Sequence, residues 1–200
     1  GDIFYKDSQQ ELLVSTGPNK KFSPDTFRLI GGAKTRWVIQ RQIKESSIVI
    51  NDNPVLTNPD DFSALLEGLY LGSFQFNRHK NVEDQPENLS IKIISKDTPA
   101  IESHITHALA LSKAVNLARD WAHEPANVIN PISLAERALA LAARYQLPVK
   151  ILNDHQLEEM GAGAIHAVGK GSATPSRLIV IEYPGQDLTA KPVVLVGKAI

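Results

Sequence analysis

Hydrophobic positions along the chain recur with two spacings, one typical of helices and one typical of strands. Between positions 59 and 72 the apolar residues lie at i, i+3, i+4 and i+7, which is the spacing of a single helix face. The members of this stripe are Phe62, Leu65, Leu66 and Leu69. Between positions 89 and 94 apolar and polar residues alternate before an apolar close, a pattern that predicts a strand.

A polar residue followed by proline marks the start of four predicted helices. The polar side chain can cap the first free N–H groups, and proline fits the first turn because its missing N–H would have no helical partner there. We expect the helices to extend to about residues 42, 72, 122 and 148, with the third ending before the Glu124-Pro125 step. The four pairs are Ser23-Pro24, Asn58-Pro59, Thr98-Pro99 and Asn130-Pro131.

Short apolar runs between these helices predict strands, so the order of elements predicts an α/β fold. Because the later runs are continuously apolar, we expect them to form a buried, mostly parallel sheet. The pattern predicts an N-terminal α/β domain at 1–96, a linker helix at 97–125 and the beginning of a second α/β domain at 126–200. The predicted strands are 11–15, 47–50, 89–94, 149–153, 164–168, 178–182 and 193–196, with a short helix at 154–160 and an exposed loop at 81–88.

Composition excludes several classes of protein. The 200 residues have 42% hydrophobic and 22% charged content and a formal net charge of −1, which is ordinary for a globular chain and argues against a dedicated nucleic-acid binder. The absence of cysteine excludes disulfides, zinc-thiolate sites and cysteine nucleophiles. The sequence contains neither a signal peptide nor an apolar run long enough to span a membrane. We therefore expect a cytoplasmic protein.

Two glycine-rich stretches are similar to nucleotide-binding motifs but do not match them fully. Residues 161–166 have the first two glycines of a dinucleotide fingerprint, but His166 takes the place of the third, and the stretch precedes a predicted strand instead of following one. Residues 163–171 resemble a phosphate-binding loop, but Gly171 replaces the required Ser or Thr and the spacing is too long. Ordinary turns are the favoured interpretation of both.

The histidines of the third helix have a spacing that can bind metal, but no acidic residue joins them on the same face. His104 and His107 are three residues apart, and a solvated helix face is the favoured interpretation. Neither a zinc-protease motif nor a serine nucleophile elbow occurs in the sequence.

Charged residues near the end of the third helix and the end of the chain have structural and functional interpretations. Arg119, Asp120 and Glu124 fit a salt-bridged, partly buried hinge between domains. Lys198 follows Gly197 at the carboxyl end of a predicted strand, where α/β sheets bind ligands. Spacing alone leaves the role of Lys198 open.

Five stretches, in order, resemble the leucine aminopeptidase family, the hexameric two-metal cytosolic aminopeptidases. The resemblance begins near residue 62 and extends to the end of the chain, whereas residues 1–55 do not support it independently. The stretches are EGLYLGSFQFNRHK at 67–80, NLARDWAHEPANVINP at 116–131, MGAGAIHAVGKGS at 160–172, RLIVIEY at 177–183 and VLVGK at 194–198.

The resemblance implies an architecture and an activity. It implies a macro-like N-terminal α/β domain, a linker helix and the beginning of an exopeptidase-type catalytic domain. It also implies hydrolysis of N-terminal amino acids from peptides with a free N-terminus, two divalent metal ions (Zn or Mn) and a hexamer. By analogy, Lys198 matches the family's metal-binding lysine, which can act as a ligand only as the neutral amine, a form that a nearby dication favours.

The family's other active-site groups lie downstream of this lysine. They are carboxylate ligands, a second lysine and an arginine, so no catalytic residue is identified within this chain and its substrate-binding residues are unknown. Many members of the family have Gly at the position of Ala199. Both residues are small, so this difference leaves the assignment of Lys198 intact. We expect the 200 residues to be part of a longer chain, with residues also missing before Gly1, and to be inactive and bind no metal tightly when alone.

Two alternatives remain open at this stage. The first is a non-catalytic oligomerisation or binding module, for which nucleic acid is a disfavoured partner because the only basic cluster is at 78–80. The second is a degenerate homologue that ends naturally at Ile200. The exposed apolar run at 193–196 argues against the second alternative on grounds of stability.

Overall fold

A computed structural model describes residues 3–6, 11–14, 22–49, 58–81, 89–94, 98–185, 189 and 191–199. It divides into two compact units, unit 1 (Gly1–His123) and unit 2 (Glu124–Ile200). Helices and strands occur in both, so the predicted α/β fold class is confirmed. Unit 1 contains β1 (Ile3–Lys6), β2 (Glu11–Val14), α1 (Pro24–Gln40), β3 (Glu45–Val49), α2 (Pro59–Gly72), β4 (Ser90–Ile94) and α3 (Thr98–His123). Unit 2 contains α4 (Pro131–Arg144), β5 (Val149–Leu152), α5 (Asp154–Glu159), α6 (Gly163–Gly169) and β6 (Leu178–Ile181).

The four helix starts predicted from polar-proline pairs are confirmed. Asn58 Oδ1 accepts the N–H of Asp60 at 3.0 Å, and Asn130 Oδ1 accepts two N–H groups of its own first turn at 3.1 Å. Helices α1 and α4 end earlier than predicted. The chain leaves them through left-handed backbone at Gln42 (φ 56°) and Gln146 (φ 54°), a conformation that no α-helix can continue.

The core of unit 1 lies between its three helices and a parallel strand pair. The stripe predicted for α2 is buried, since Phe62, Leu65, Leu66 and Leu69 are at most 5% exposed. Phe27 of α1 and Ala108 of α3 join this cluster, and isoleucines of β3 and β4 pack against it. Strands β3 and β4 are parallel, whereas β1 and β2 form an antiparallel pair. The separate linker helix at 97–125 stays a prediction; in the structure α3 packs against α2.

Glycines allow α1 and α2 to touch backbone to backbone. A methyl group added at Gly68 would collide with the Arg28 carbonyl oxygen, and one added at Gly31 would collide with the Leu65 carbonyl oxygen. At Gly72 the added carbon would lie 2.8 Å from the backbone of Gly32. Because the obstacles are backbone atoms rather than movable side chains, only glycine permits this close approach.

An ion pair spans the same helix contact. Arg28 of α1 donates from Nε to Glu67 Oε2 of α2 at 2.8 Å and also pairs with Asp25 one turn earlier. Glu67 is only 7% exposed, so the guanidinium compensates the charge of a carboxylate that is buried in the core.

A second polar contact joins α1 to β3. Lys34 Nζ donates to Ser46 Oγ of β3 at 2.7 Å, and burial lowers the pKa of Lys34 below its usual value.

The predicted strand at 164–168 is wrong, because these residues lie in helix α6. Gly161 turns the chain with φ +77°, and the His166 N–H then donates to the Ala162 carbonyl at 3.2 Å. A short apolar run has no periodicity that separates a strand from a helical turn, which explains the error.

The predicted mostly parallel sheet is also incorrect for the described part of unit 2. Its strands β5 and β6 pair antiparallel, with Val149 opposite Ile181 and Leu152 opposite Leu178. The connection between them contains α5 and α6, and the chain returns along β5 in the reverse direction. Continuous apolar runs predict burial but carry no information on strand direction.

The predicted strand at 193–196 does not form in the described residues. The four side chains are 74–93% exposed, and residues 191–199 have no regular secondary structure. A strand needs a neighbouring ladder for its N–H and C=O groups, and none of the described strands pairs with this segment. The predicted loop at 81–88 lies outside the described residues except for Asn81. None of the helices in the described ranges is long and apolar enough to cross a membrane.

Substitution Gly68→Ala tests the backbone contact between α1 and α2. Alanine is the better helix former, but its methyl group meets a fixed carbonyl oxygen, so we expect a loss of about 1–3 kcal/mol in the free energy of unfolding of unit 1. Urea denaturation followed by tryptophan fluorescence reports on this unit, since Trp37 and Trp121, the only tryptophans, both lie in it.

The control for Gly68→Ala is Leu29→Ala on α1, where the side chain is 70% exposed. We expect the control to change the free energy of unfolding by no more than about 0.5 kcal/mol. A Gly68→Ala protein as stable as the control would contradict the close backbone contact.

Candidate functional site

Lys198, the predicted metal ligand, lies in an exposed segment of unit 2. Residues 191–199 have no regular secondary structure, and the Lys198 side chain faces solvent. No described side chain forms an ion pair or hydrogen bond with it. Its assignment as a metal ligand therefore stays a prediction.

A metal site needs several donor groups close together. Within the part of the chain that the structure describes, no three His, Cys, Asp or Glu side chains are close enough to hold a metal ion. One exposed amine is an incomplete donor set for even one divalent ion, which takes four or more ligands. The described residues therefore do not fit a two-metal centre by themselves.

The two histidines of α3 have different environments. His107 is exposed, as expected for a solvated helix face. His104 is partly buried: its Nδ1 lies 2.8 Å from Ser63 Oγ, and its ring packs edge-on against Phe62 with centroids 5.8 Å apart. The solvated interpretation is therefore wrong for His104, which lies one helical turn before the buried Ala108 and so faces α2.

The charged residues at the end of α3 join two of the stretches that carry the family resemblance, 67–80 and 116–131. Arg119 donates from Nη1 to the Leu71 carbonyl at 2.9 Å and to Asn116 Oδ1 at 3.1 Å, and its guanidinium lies 4.3 Å from the centre of the Phe74 ring. The Leu71 carbonyl also accepts the Phe74 N–H at 3.4 Å, so Arg119 adds a second, shorter hydrogen bond at the carboxyl end of α2, where a cation complements the helix dipole. Arg119 therefore fixes the segment that follows α2 onto α3.

Further contacts extend this junction. Arg78 donates to Asp120 Oδ2 at 2.6 Å, and the His123 ring packs against Phe74 and Phe76 with centroids 5.4 and 5.6 Å apart. Arg119 and Asp120 thus each bind a group in the other stretch. The sequence predicted salt bridges here, and the structure supplies the partners that sequence spacing could not name.

Glu124 belongs to unit 2 and has a separate role. Its side chain is fully buried, and Arg137 Nη2 of α4 lies 3.5 Å from Glu124 Oε1. This contact lies within unit 2, and the hinge that groups Glu124 with Arg119 and Asp120 stays a prediction. In the same unit, residues 163–169 of the two glycine-rich stretches form helix α6, so their interpretation as ordinary turns is confirmed only for the residues on either side of this helix, such as Gly161 and Gly171.

Sequence reasoning missed Glu67 and Asn116 as organising residues. Glu67 interrupts the apolar stripe of α2, and a carboxylate at a buried helix position signals a cationic partner. Asn116 Nδ2 donates to the Tyr70 carbonyl at 3.3 Å while its Oδ1 accepts from Arg119. No pattern in the sequence distinguishes Asn116 from an exposed polar residue.

Comparisons with known proteins bear on the same region. Residues 116–200 match the sequence model of the cytosol aminopeptidase family, catalytic domain. A probable cytosol aminopeptidase of Syntrophotalea carbinolica is 38% identical over 196 residues, covering 94% of this chain and 39% of the relative. One of Aquifex aeolicus is 33% identical over 189 residues, covering 94% of this chain and 38% of the relative.

Solved structures agree with this similarity. A mutant of tomato leucine aminopeptidase has a TM-score of 0.74 and 28% identity, covering 84% of this chain and 34% of that protein. The bottromycin maturation enzyme BotP has a TM-score of 0.71 over 91% of this chain and 39% of its own, but at 22% identity it shows the fold alone.

These matches confirm the resemblance found in the sequence. The chain belongs to the cytosol aminopeptidase family. It spans about two fifths of the length of the curated relatives it matches. Because the alignments cover 94% of the chain, the similarity also extends into residues 1–55, where the sequence motifs alone did not support it.

Substitution Arg119→Ala tests the junction between α2 and α3. It removes the shorter hydrogen bond to the Leu71 carbonyl and the cation from the Phe74 ring, so we expect a loss of about 1–3 kcal/mol in the free energy of unfolding of unit 1. The measurement is urea denaturation followed by tryptophan fluorescence. Lys113→Ala, at an exposed position on the same helix, is the control and should change stability by at most about 0.5 kcal/mol. Equal stability of the two variants would contradict a structural role for Arg119.

Proposed function

We propose that these 200 residues are the N-terminal portion of a metal-dependent leucyl aminopeptidase, which removes N-terminal amino acids from peptides with a free N-terminus. The observation that carries the proposal is the match of residues 116–200 to the family's catalytic domain. The match includes the VLVGK stretch, in which Lys198 corresponds to the family's metal-binding lysine. The domain division 1–96, 97–125 and 126–200 is part of the proposal.

The proposed metal site lies only partly within these residues. Lys198 would contribute a neutral amine to one of two divalent ions, Zn or Mn, and the carboxylate ligands, second lysine and arginine would come from residues after position 200 of a longer protein. This arrangement is consistent with the incomplete donor set of the described residues. A cytoplasmic location and a hexamer, both implied by the family, complete the proposal.

The first test uses the 200-residue chain alone. We expect no metal-dependent hydrolysis of leucine p-nitroanilide after addition of Mn²⁺ or Zn²⁺, because a single lysine does not hold a metal ion. The positive control is the intact cytosol aminopeptidase of Syntrophotalea carbinolica under the same conditions. Turnover by the 200-residue chain that disappears with EDTA would contradict the proposed division of the site.

The second test restores the missing part. In a chimera, this chain replaces the matching 39% of the Syntrophotalea carbinolica relative, to which it is 38% identical. We expect the chimera to hydrolyse leucine p-nitroanilide with added Mn²⁺. Lys198→Ala and Lys198→Arg should both abolish activity, since a guanidinium keeps the charge but remains protonated and cannot act as a ligand.

The matched control is Lys191→Ala, an exposed lysine in the same segment as Lys198. It should leave the activity of the chimera within about twofold, as expected for an exposed surface position. If Lys198→Ala retained full activity, the assignment of Lys198 would be wrong. A chimera that folds, by circular dichroism and tryptophan fluorescence, but has no activity would favour the alternative of a non-catalytic oligomerisation or binding module.

A further inference from the structure

Unit 1 contains an open cleft whose lining residues all precede residue 124, whereas Lys198 belongs to unit 2. The cleft lies where the carboxyl-terminal half of α1 meets the end of α2, the segment after α2 and the last turns of α3, and its volume is about 220 Å³. Its lining includes Arg36, Gln40, Leu71, Phe74, Gln75 and Arg119. A cleft of this volume accommodates a small ligand or one group of a larger ligand.

The charge of this cleft is positive. Two of the described residues that line it are arginines, and none of them is acidic. The acidic residue next to Arg119 in sequence is Asp120, whose carboxylate already binds Arg78 at 2.6 Å. The carboxyl end of α2 offsets only part of the charge, because a helix end carries about half an elementary charge. Two guanidinium groups therefore lie at one cleft with no described carboxylate in its lining.

Arg119 is held in place by the contacts at the α2–α3 junction. Its Nη1 atom makes both hydrogen bonds, to Leu71 and Asn116, and its Cζ atom lies over the Phe74 ring. Its Nε and Nη2 groups have no acceptor among the described residues. A guanidinium fixed in this way loses little conformational entropy when it binds an anion with its remaining donors.

Arg36 has no ion pair or hydrogen bond within the described part of the chain. Its side chain is exposed and lies close to α1, since a carbon added at Gly32 would be 3.2 Å from Arg36 Nη1. All five of its N–H donors are therefore available to a ligand. Gln40 and Gln75 add neutral amide donors at the same cleft.

We propose that this cleft binds a small oxyanion, the phosphate or carboxylate group of a small ligand, between the guanidinium groups of Arg36 and Arg119. Both anions match the planar fork of an arginine, which donates two parallel hydrogen bonds to either. The proposal concerns unit 1 only and does not depend on peptidase activity or on Lys198.

The test is isothermal titration calorimetry of the 200-residue chain at constant ionic strength, with inorganic phosphate in one arm and succinate in the other. We expect saturable binding in at least one arm, which identifies the preferred anion. Arg36→Gln should weaken this binding at least about tenfold, the effect of losing one charge-assisted hydrogen-bond pair. Arg36→Lys should weaken it less, since the charge remains and only the fork is lost.

The matched control is Arg41→Gln, which removes the same charge just after α1. The Arg41 guanidinium lies 4.0 Å from the centre of the Trp37 ring and does not line the cleft. We expect the control to change the affinity by no more than about twofold, because the anion does not contact it and salt screens the longer-range interaction. Absence of saturable binding in both arms, or equal losses for Arg36→Gln and Arg41→Gln, would overturn the proposal.

Discussion

The backbone contact between α1 and α2 is the constraint on which the rest of unit 1 depends. Gly31 and Gly68 let the helices approach until carbonyl oxygens occupy the space that side chains would fill. At this distance Arg28 can reach Glu67, so a carboxylate carried into the core has its partner. The same contact fixes the carboxyl end of α2, where Arg119 binds the Leu71 carbonyl and the following segment meets α3.

This geometry gives a structural meaning to two of the stretches through which the chain resembles its family. In 67–80, Glu67 and Gly68 serve the helix contact, and Phe74 packs with Arg119 and His123 of the stretch 116–131. Part of the resemblance therefore reflects packing rather than chemistry. The family assignment says more about function than these motifs do alone, because it rests on matches over nearly the whole chain.

Sequence patterns within single segments predicted much of the fold, and contacts between segments explain where those predictions failed. Polar-proline pairs and the stripe of α2 were confirmed because capping and amphipathic spacing are properties of a single segment. The strands at 164–168 and 193–196 were wrong because an apolar run becomes a strand only beside a partner. The Leu71 carbonyl that Arg119 binds lies on another helix, and the cleft lined by Arg36 and Arg119 is formed by several elements, so sequence spacing could not reveal the junction or the cleft. Lys198 was proposed from family resemblance, and its ligand role stays a prediction.

The central claim is that Lys198 contributes to a two-metal centre that residues after position 200 complete. The most direct test is the metal content of the chimera with the Syntrophotalea carbinolica relative, measured by mass spectrometry after equilibration with Mn²⁺ and removal of free metal. The account predicts two ions per chain for the chimera and for its Lys191→Ala variant, and one or none for Lys198→Ala. Two ions per chain retained by a folded Lys198→Ala protein would contradict it.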